Sequence, residues 1–346
     1  MTCEFAFLAV GNADSIVVSP DNGPSVVIDI PKPRAVTDFL KAREKFSIGS
    51  IYITHTHRDH FAPFSSFVAF LEDWLRLPGS VENVFIARDA YIEAFTELEQ
   101  LKTTRPKKYK ELHHALERLR EWRLRTINFQ YPNQSLKPSY ESTNLAVYVL
   151  HPELLFAAKH LAKFKRGLNE RSIVLKITYR GFAAILLADI EKEGLDDILE
   201  LYSAMPGVLH ADLVKVPHHG AWPPNSSSLE ALLRIVNARL AILSVGSKNP
   251  YGHVVPALFQ LLNHLVDDSS ARLAKFICTE VTQTCVFSSL ERTAAGNTGL
   301  GERMPCAGDI IVTVDDEVTW HYHTQTDHAS VIRGLPHAAC EGRGDL

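Results

Sequence analysis

His55-Thr56-His57-Arg58-Asp59-His60 follows directly on a short apolar run, Ser50-Ile51-Tyr52-Ile53-Thr54. The run reads as a buried strand, since β-branched and aromatic residues fill it and it is too short for a helix. In the extended segment that continues it, residues i and i+2 point the same way. His55 and His57 can therefore grip one metal ion. The turn after them brings Asp59 and His60 to a second ion about 3.5–4 Å away, the usual spacing of a two-metal site. A polar loop with coincidental histidines is the competing reading, and four further signals in a fixed order speak against it.

Three of those signals repeat one device, a strand delivering polar groups at its C-terminal end. Leu186-Leu187-Ala188-Asp189 ends an apolar strand in a carboxylate that can bridge two cations, although a lone Asp there also suits a helix N-cap. Val214-Lys215-Val216-Pro217 leads into His218-His219-Gly220. Leu243-Ser244-Val245-Gly246 leads through Asn249 to Tyr251-Gly252-His253. Taken alone, each of these histidines fits a surface or core position. The fifth signal, Gly11-Asn12-Ala13-Asp14-Ser15, offers Asp14 either as ordinary turn chemistry or as a carboxylate that orients a ligating histidine.

Around these motifs, 346 residues with 46% hydrophobic and 22% charged residues make a globular chain with room for a large core, excluding a disordered or coiled-coil protein. The net charge of −4 excludes a uniformly basic nucleic-acid coat. Five cysteines, at 3, 278, 285, 306 and 340, form no CxxC pair and read as reduced thiols. The first fifteen residues lack a basic region and include Asp14, so no signal peptide is expected. Without an apolar run of membrane-spanning length, a cytoplasmic protein with no membrane partner is expected.

Strand-like runs fall at 5–10, 15–19 and 25–30, an expected antiparallel meander, and at 50–54, 82–87 and 145–150. A hairpin is expected from 172–178 and 183–187 around Arg180-Gly181, and further strands at 212–216, 240–245, 275–280, 285–289, 310–314 and 318–322. Helical patterns lie between them at 34–46, 90–101, 192–203, 229–236 and 256–265. Strands in both halves with helices between them give an α/β (α+β) class, and specifically an αββα sandwich of two mixed β-sheets flanked by helices. One domain is expected over 1–325, with a basic helical insertion at 102–140 and a loose tail over 326–346.

The order of motifs resembles the metallo-β-lactamase-fold hydrolases, and within them the soluble hydrolase domain of ComEC-type DNA-uptake proteins. The residues that carry the likeness are Gly11–Ser15, His55–His60, Leu150-His151-Pro152, Asn169–Ser172, Ala188-Asp189-Ile190-Glu191, Lys215–Gly220 and Ser244–His253. The resemblance implies two divalent ions, Zn or Mn, and phosphodiester hydrolysis. It implies His55, His57, Asp59, His60, Asp189, His219 and His253 as metal ligands. Asp14, Asn169 and His151 are implied to support them. Many relatives place a further histidine where this chain has Asn169. Asp59, His218 and His219 are the expected catalytic groups. Two cations lower the pKa of a bridging water from near 16 towards about 7. His218 or His219 could protonate the leaving oxygen; the sequence leaves open which of the two faces the site.

Residues 102–125 carry nine Lys or Arg against three Glu, a local +6 that leaves −10 for the rest. Leu112, Leu116 and Leu119 mark an amphipathic helix from about Lys108. Its basic face, with Lys102, Arg105, Lys107, Lys108, Lys110 and Arg118, could track a DNA backbone. It could also dock a protein partner, such as an ATPase or sensor subunit of a bacterial defence-type system, or be a plain solvated surface. A DNA-cutting metallohydrolase is the preferred expectation. Two alternatives stand beside it: a non-catalytic interaction subunit, and a hydrolase of another ester or a lactone. His113, His114, His321, His323, His328 and His337 receive no role.

Overall fold

The computed structural model describes residues 1–125, 127–161, 167–221, 227–296, 299–338 and 340. The chain first builds an eight-stranded sheet. It begins with the expected meander, β1 (Cys3–Phe7), β2 (Ile16–Pro20) and β3 (Ser25–Ile28), each antiparallel to the one before. β4 (Ser47–Ile53), β5 (Ser80–Ile86) and β6 (Asn128–Gln130) then add in parallel beyond β3. Parallel neighbours need long crossovers. Helices α1 (Pro33–Ala42), α2 (Phe64–Arg76), α3 (Arg88–Thr104) and α4 (Pro106–Arg125) supply them.

The second sheet has seven strands. β7 (Tyr140–Ser142), β8 (Leu145–His151), β9 (Val174–Tyr179) and β10 (Phe182–Leu186) are antiparallel, with α5 (Leu154–Leu161) between β8 and β9. The turn from β9 to β10 is the expected Arg180-Gly181, with Arg180 at φ 55°. β11 (Leu213–Lys215), β12 (Leu240–Leu243) and β13 (Lys275–Cys278) continue in parallel from β10, with α6 (Lys192–Leu201), α7 (Ser227–Val236) and α8 (Pro256–Asp267) as crossovers. After α9 (Gln283–Val286) and α10 (Ser289–Ala295), the chain returns to the first sheet through β14 (Ile310–Val314) and β15 (Trp320–Thr324), and ends its regular structure in α11 (His328–Arg333).

Three apolar layers hold these elements. Phe5, Phe7, Tyr52, Phe85 and Phe182 lie between the sheets, where Tyr52 stacks on Phe85 at 4.4 Å. Ile51 and Ile53, one residue out of phase with Tyr52, face the other way, against α1–α4. Ile185, Val214 and Leu243 face α6–α8. The arrangement is the expected αββα sandwich of two mixed sheets.

Several local expectations change. Residues 285–289 do not form a strand: Cys285 lies in α9, and Ser288 caps α10 through a capping box with Glu291. The S-x-x-E signature of that cap was present in an apolar-looking run. The basic helix starts at Pro106, and Phe64–Arg76 adds a helix that the sequence reading did not name. The segment expected as a loose tail carries α11, and Cys340 is buried in the core; residues 339 and 341–346 lie outside the described residues. Among the described residues no helix is long and apolar enough to cross a membrane.

Candidate metal centre

The parallel strands of both sheets end at one edge of the sandwich. In open sheets of this kind, the carboxyl ends of strands are where loops converge on ligands. From the first sheet, β3 delivers Asp29 and β4 delivers residues 54–60. From the second, β10 delivers Asp189, β11 delivers His218 and His219, and β12 leads to Asn249 and His253.

The innermost groups are almost wholly buried: His55, His60, Asp189 and His219 are each at most 3% exposed. Ligand atoms of Asp59, His60, Asp189 and His219 all lie within 4.8 Å of one another, and so do those of His55, His57 and Asp59. Asp59 belongs to both sets. His55 Nε2 is 3.0 Å from His57 Nδ1, and His60 Nε2 is 3.3 Å from His219 Nε2. Asp189 faces histidines of both sets. Oδ1 lies 3.0 Å from His60, while Oδ2 faces His55 at 3.9 Å and His219 at 3.7 Å. Despite that proximity, Asp189 Oδ1 makes no aligned hydrogen bond among the described residues. Buried acceptors left uncompensated are costly. Imidazole nitrogens and carboxylate oxygens crowded together without donors to satisfy them suit divalent cations, and this donor set fits Zn or Mn.

Surrounding groups orient these ligands. His219 Nδ1–H donates to the Ser244 carbonyl at 2.8 Å, so its Nε2 lone pair faces the centre. Asp29 performs the same task for His60. Its carboxylate accepts from His60 Nδ1 at 2.6 Å, from the Thr54 N–H at 2.8 Å and from the Thr54 hydroxyl at 2.7 Å. Asp14 lies 3.8 Å from His60 Nδ1 and is paired with the fully buried Lys215, which also donates to the Ala188 carbonyl at 3.1 Å. Burial disfavours charge on His60, but Asp189 and Asp29 outweigh it and hold its pKa well above that of a free imidazole. Burial likewise opposes ionisation of Asp189, yet His60 and His219 hold it well below the usual carboxylate range. His55 is pushed well below the ordinary histidine value by burial and by His60.

Backbone geometry serves the same end. Ala188, His218 and His219 sit at φ 45°, 50° and 51°, in the left-handed region that non-glycine residues occupy uncommonly. Gly246 passes so close to the 11–15 turn that a Cβ there would lie 2.2 Å from the Asn12 backbone nitrogen.

The remaining expected residues fall into three places. His218 and His253 stand at the rim, their rings 5.4 Å apart. His218 lies 3.3 Å from Glu191 and 3.4 Å from Asn169 Nδ2, and Asn169 also donates to Glu191 at 2.8 Å. Thus His219 is the buried member of the pair and His218 the half-buried one facing the opening. His253 stands outside both tight groups, and burial and its histidine neighbours push its pKa down to about 4. His151 is remote from the cluster, with Nε2 2.7 Å from the Glu170 carbonyl and Nδ1 3.2 Å from Asp197. It steadies the segment that carries Asn169. Finally, the basic helix packs Leu112, Leu116, Leu119 and Trp122 against α2 and α3. Lys107, Lys108 and Lys110 are exposed on it, Lys102 is exposed on α3 and Arg105 in the link between the two helices, whereas Arg118 is bonded to Glu72 and Glu121. The side chains of residues 123 and 125 lie outside the described set.

The centre opens into a groove of about 870 Å³ whose walls include Lys32, Arg58, Lys248 and Arg303. None of the described basic-helix residues lines it. Asp29 and this groove cluster are what the sequence reading missed. Ile28-Asp29-Ile30 does show the same strand-then-carboxylate pattern as Leu187-Ala188-Asp189. The groove lysines and arginines are scattered along the chain and have no sequence signature.

Comparison with known proteins gives a short local match and wider likenesses of shape. No protein-family model matches the chain. ComE operon protein 3 of Bacillus subtilis (strain 168) is 32% identical over 119 residues, which is 34% of this chain and only 13% of that protein. Among solved structures, Igni18, a metallo hydrolase from Ignicoccus hospitalis, aligns at TM-score 0.40 and 12% identity over 79% of this chain and 94% of its own. A long-form RNase Z from yeast aligns at TM-score 0.41 and 11% identity over 80% of this chain and 40% of its own.

Proposed function

We propose that the chain is a metal-dependent hydrolase of the metallo-β-lactamase type that cuts phosphodiesters, with DNA as the substrate. One observation carries this reading: histidines and aspartates from four strand ends of two sheets crowd into a buried centre at the floor of a groove with basic walls. His55, His57 and Asp59 would hold one divalent cation, and Asp59, His60, Asp189 and His219 the other. Cations there would supply Lewis acidity, activating a water at neutral pH and offsetting charge on a phosphoryl oxygen.

The chain's own groups do the rest. Asp29 and the Ser244 carbonyl fix His60 and His219 so that Nε2 of each points inward. Arg58 and Lys248 are exposed and have no acidic partner among the described residues, so they are free to bind phosphates on either side of the scissile one. His218 stands at the rim with Nδ1 3.3 Å from Glu191 and Nε2 accepting from Asn169 Nδ2 at 3.4 Å, so it would pass a proton to the leaving oxygen only once protonated on Nε2 and released by Asn169. The exposed basic face of α4 would bind more distant phosphates or a protein partner. The choice of DNA rests on the resemblance of the motif order to the hydrolase domain of DNA-uptake proteins.

Purified protein incubated with Mn or Zn and labelled single-stranded, double-stranded and plasmid DNA tests the reading. Cutting should require the metal, stop on chelation, and be lost in His57→Ala and Asp189→Ala. Bound metal with no turnover of any phosphodiester would instead favour an interaction subunit or a different ester.

A further inference from the structure

Beside the carboxyl end of β13, the edge strand of the second sheet next to β12, lies a second set of metal-type ligands. Cys278 ends β13, Cys306 follows the loop after α10, His328 opens α11, and Cys340 lies beyond it. The three sulfurs are each 1% exposed and His328 is 6% exposed. One ligand atom each of Cys306, His328 and Cys340 lies within 4.8 Å of the others, and the Cys278 sulfur is 3.4 Å from that of Cys340. That separation is far from the ~2.05 Å of a disulfide. It is close to the roughly 3.8 Å edge of a tetrahedron with metal–sulfur bonds of about 2.3 Å. A second observation points the same way: His328 Nε2 is buried and has no hydrogen-bond partner among the described residues.

We propose that Cys278, Cys306, Cys340 and His328 form a structural zinc site. Four protein donors of the Cys3His type close the coordination shell, leaving no position for substrate. Binding exchanges three thiol protons for one Zn²⁺, so the site carries a net charge of −1. The metal joins the C-terminal segment to the sheet, and its effect reaches the catalytic groove. Cys278 is two residues before Glu280, and Cys306 is three residues after Arg303. Glu280 pairs with Arg303 and accepts the Ser247 N–H, and both Glu280 and Arg303 line the groove. The Cys306 N–H also bonds the Thr279 carbonyl at 3.1 Å. The site thus anchors one basic wall of the groove from behind. Spacings of 28, 22 and 12 residues between the four ligands match no short zinc motif, so only the fold brings them together.

This inference does not depend on the hydrolase reading. The test uses the full chain carrying His57→Ala and Asp189→Ala, which disables the first centre, purified under reducing conditions. Elemental analysis should find about one zinc per chain. Titration with a mercurial thiol reagent should release it to a colorimetric chelator. Cobalt replacement should give a thiolate-to-metal charge-transfer band with tetrahedral visible bands. Cys306→Ser should lose the zinc, whereas Cys285→Ser, a neighbouring buried thiol outside the set, should keep it. The mercurial release is repeated on the unsubstituted chain, so the proposal remains testable if a variant fails to fold. Absence of thiol-releasable zinc, a cobalt spectrum without thiolate bands, or a Cys278–Cys340 disulfide in the native protein would overturn the proposal.

Discussion

Replacing Asp29 separates metal binding from folding in a way the geometry makes quantitative. The Asp29 carboxylate is 1% exposed and accepts three hydrogen bonds, from the Thr54 N–H, the Thr54 hydroxyl and His60 Nδ1. In Asp29→Ala, the Thr54 hydroxyl, 3.3 Å from His60 Nδ1, can accept from the imidazole, but the Thr54 N–H loses its partner. A buried donor left unpaired costs about 1–3 kcal/mol, so the variant should lose roughly that much stability. Asp29→Asn keeps the shape and an oxygen for Thr54 but removes the anion that holds the proton on His60 Nδ1. The imidazole then no longer presents an Nε2 lone pair to the centre in every molecule. Loss of such an orienting carboxylate lowers metal affinity by about 10–100-fold. Urea unfolding reads the first effect, and chelator-competition titration with zinc reads the second. Native zinc affinity in Asp29→Asn, together with unchanged unfolding of Asp29→Ala, would refute the assignment of Asp29 as the group that orients His60.

Other substitutions probe neighbouring links. Lys215→Met removes the ammonium paired with buried Asp14 and leaves it only the more distant His60 and His219, so it should cost up to about 3–5 kcal/mol in urea unfolding, the range for breaking one side of a buried ion pair. Gly246→Ala puts a Cβ against backbone atoms of residues 11 and 12 that cannot swing aside, so its melting temperature should fall and the 11–15 turn should lose protection from hydrogen exchange. Arg58→Ala and Lys248→Ala should each lower oligonucleotide affinity and reduce the slope of log affinity against log salt by about 0.7–0.9. Neutralising Lys107, Lys108 and Lys110 together tests the helix separately, and an unchanged salt slope would remove it from the DNA path.

The sequence made the site's framework readable because the chemistry sits at strand ends, where an apolar run stops abruptly at a polar group. That signal located residues 55–60, Asp189 and 217–220, and the alternation of strands and helices gave the two-sheet sandwich. It was weaker where one residue type has several uses. Asp29 follows only a four-residue strand whose end resembles a turn, so its role as a partner of His60 appears only when β3 and β4 pair. His151 sits in the Leu150-His151-Pro152 motif that carried part of the resemblance, yet its ring is spent on Glu170 and Asp197. The run at 285–289 looked like a strand because Cys, Val and Phe dominate it, but its start lies in α9 and the Ser288–Glu291 capping box opens α10 inside it. Arg118 counted as basic surface, but two glutamates hold it. The four residues Cys278, Cys306, His328 and Cys340 span 62 positions and leave no local trace.

Anomalous diffraction from crystals grown with zinc or manganese, recorded at the metal's absorption edge, tests the central claim most directly. The account predicts scattering peaks between His55, His57 and Asp59 and between Asp59, His60, Asp189 and His219. Crystals in saturating metal with no peak among these side chains would contradict it.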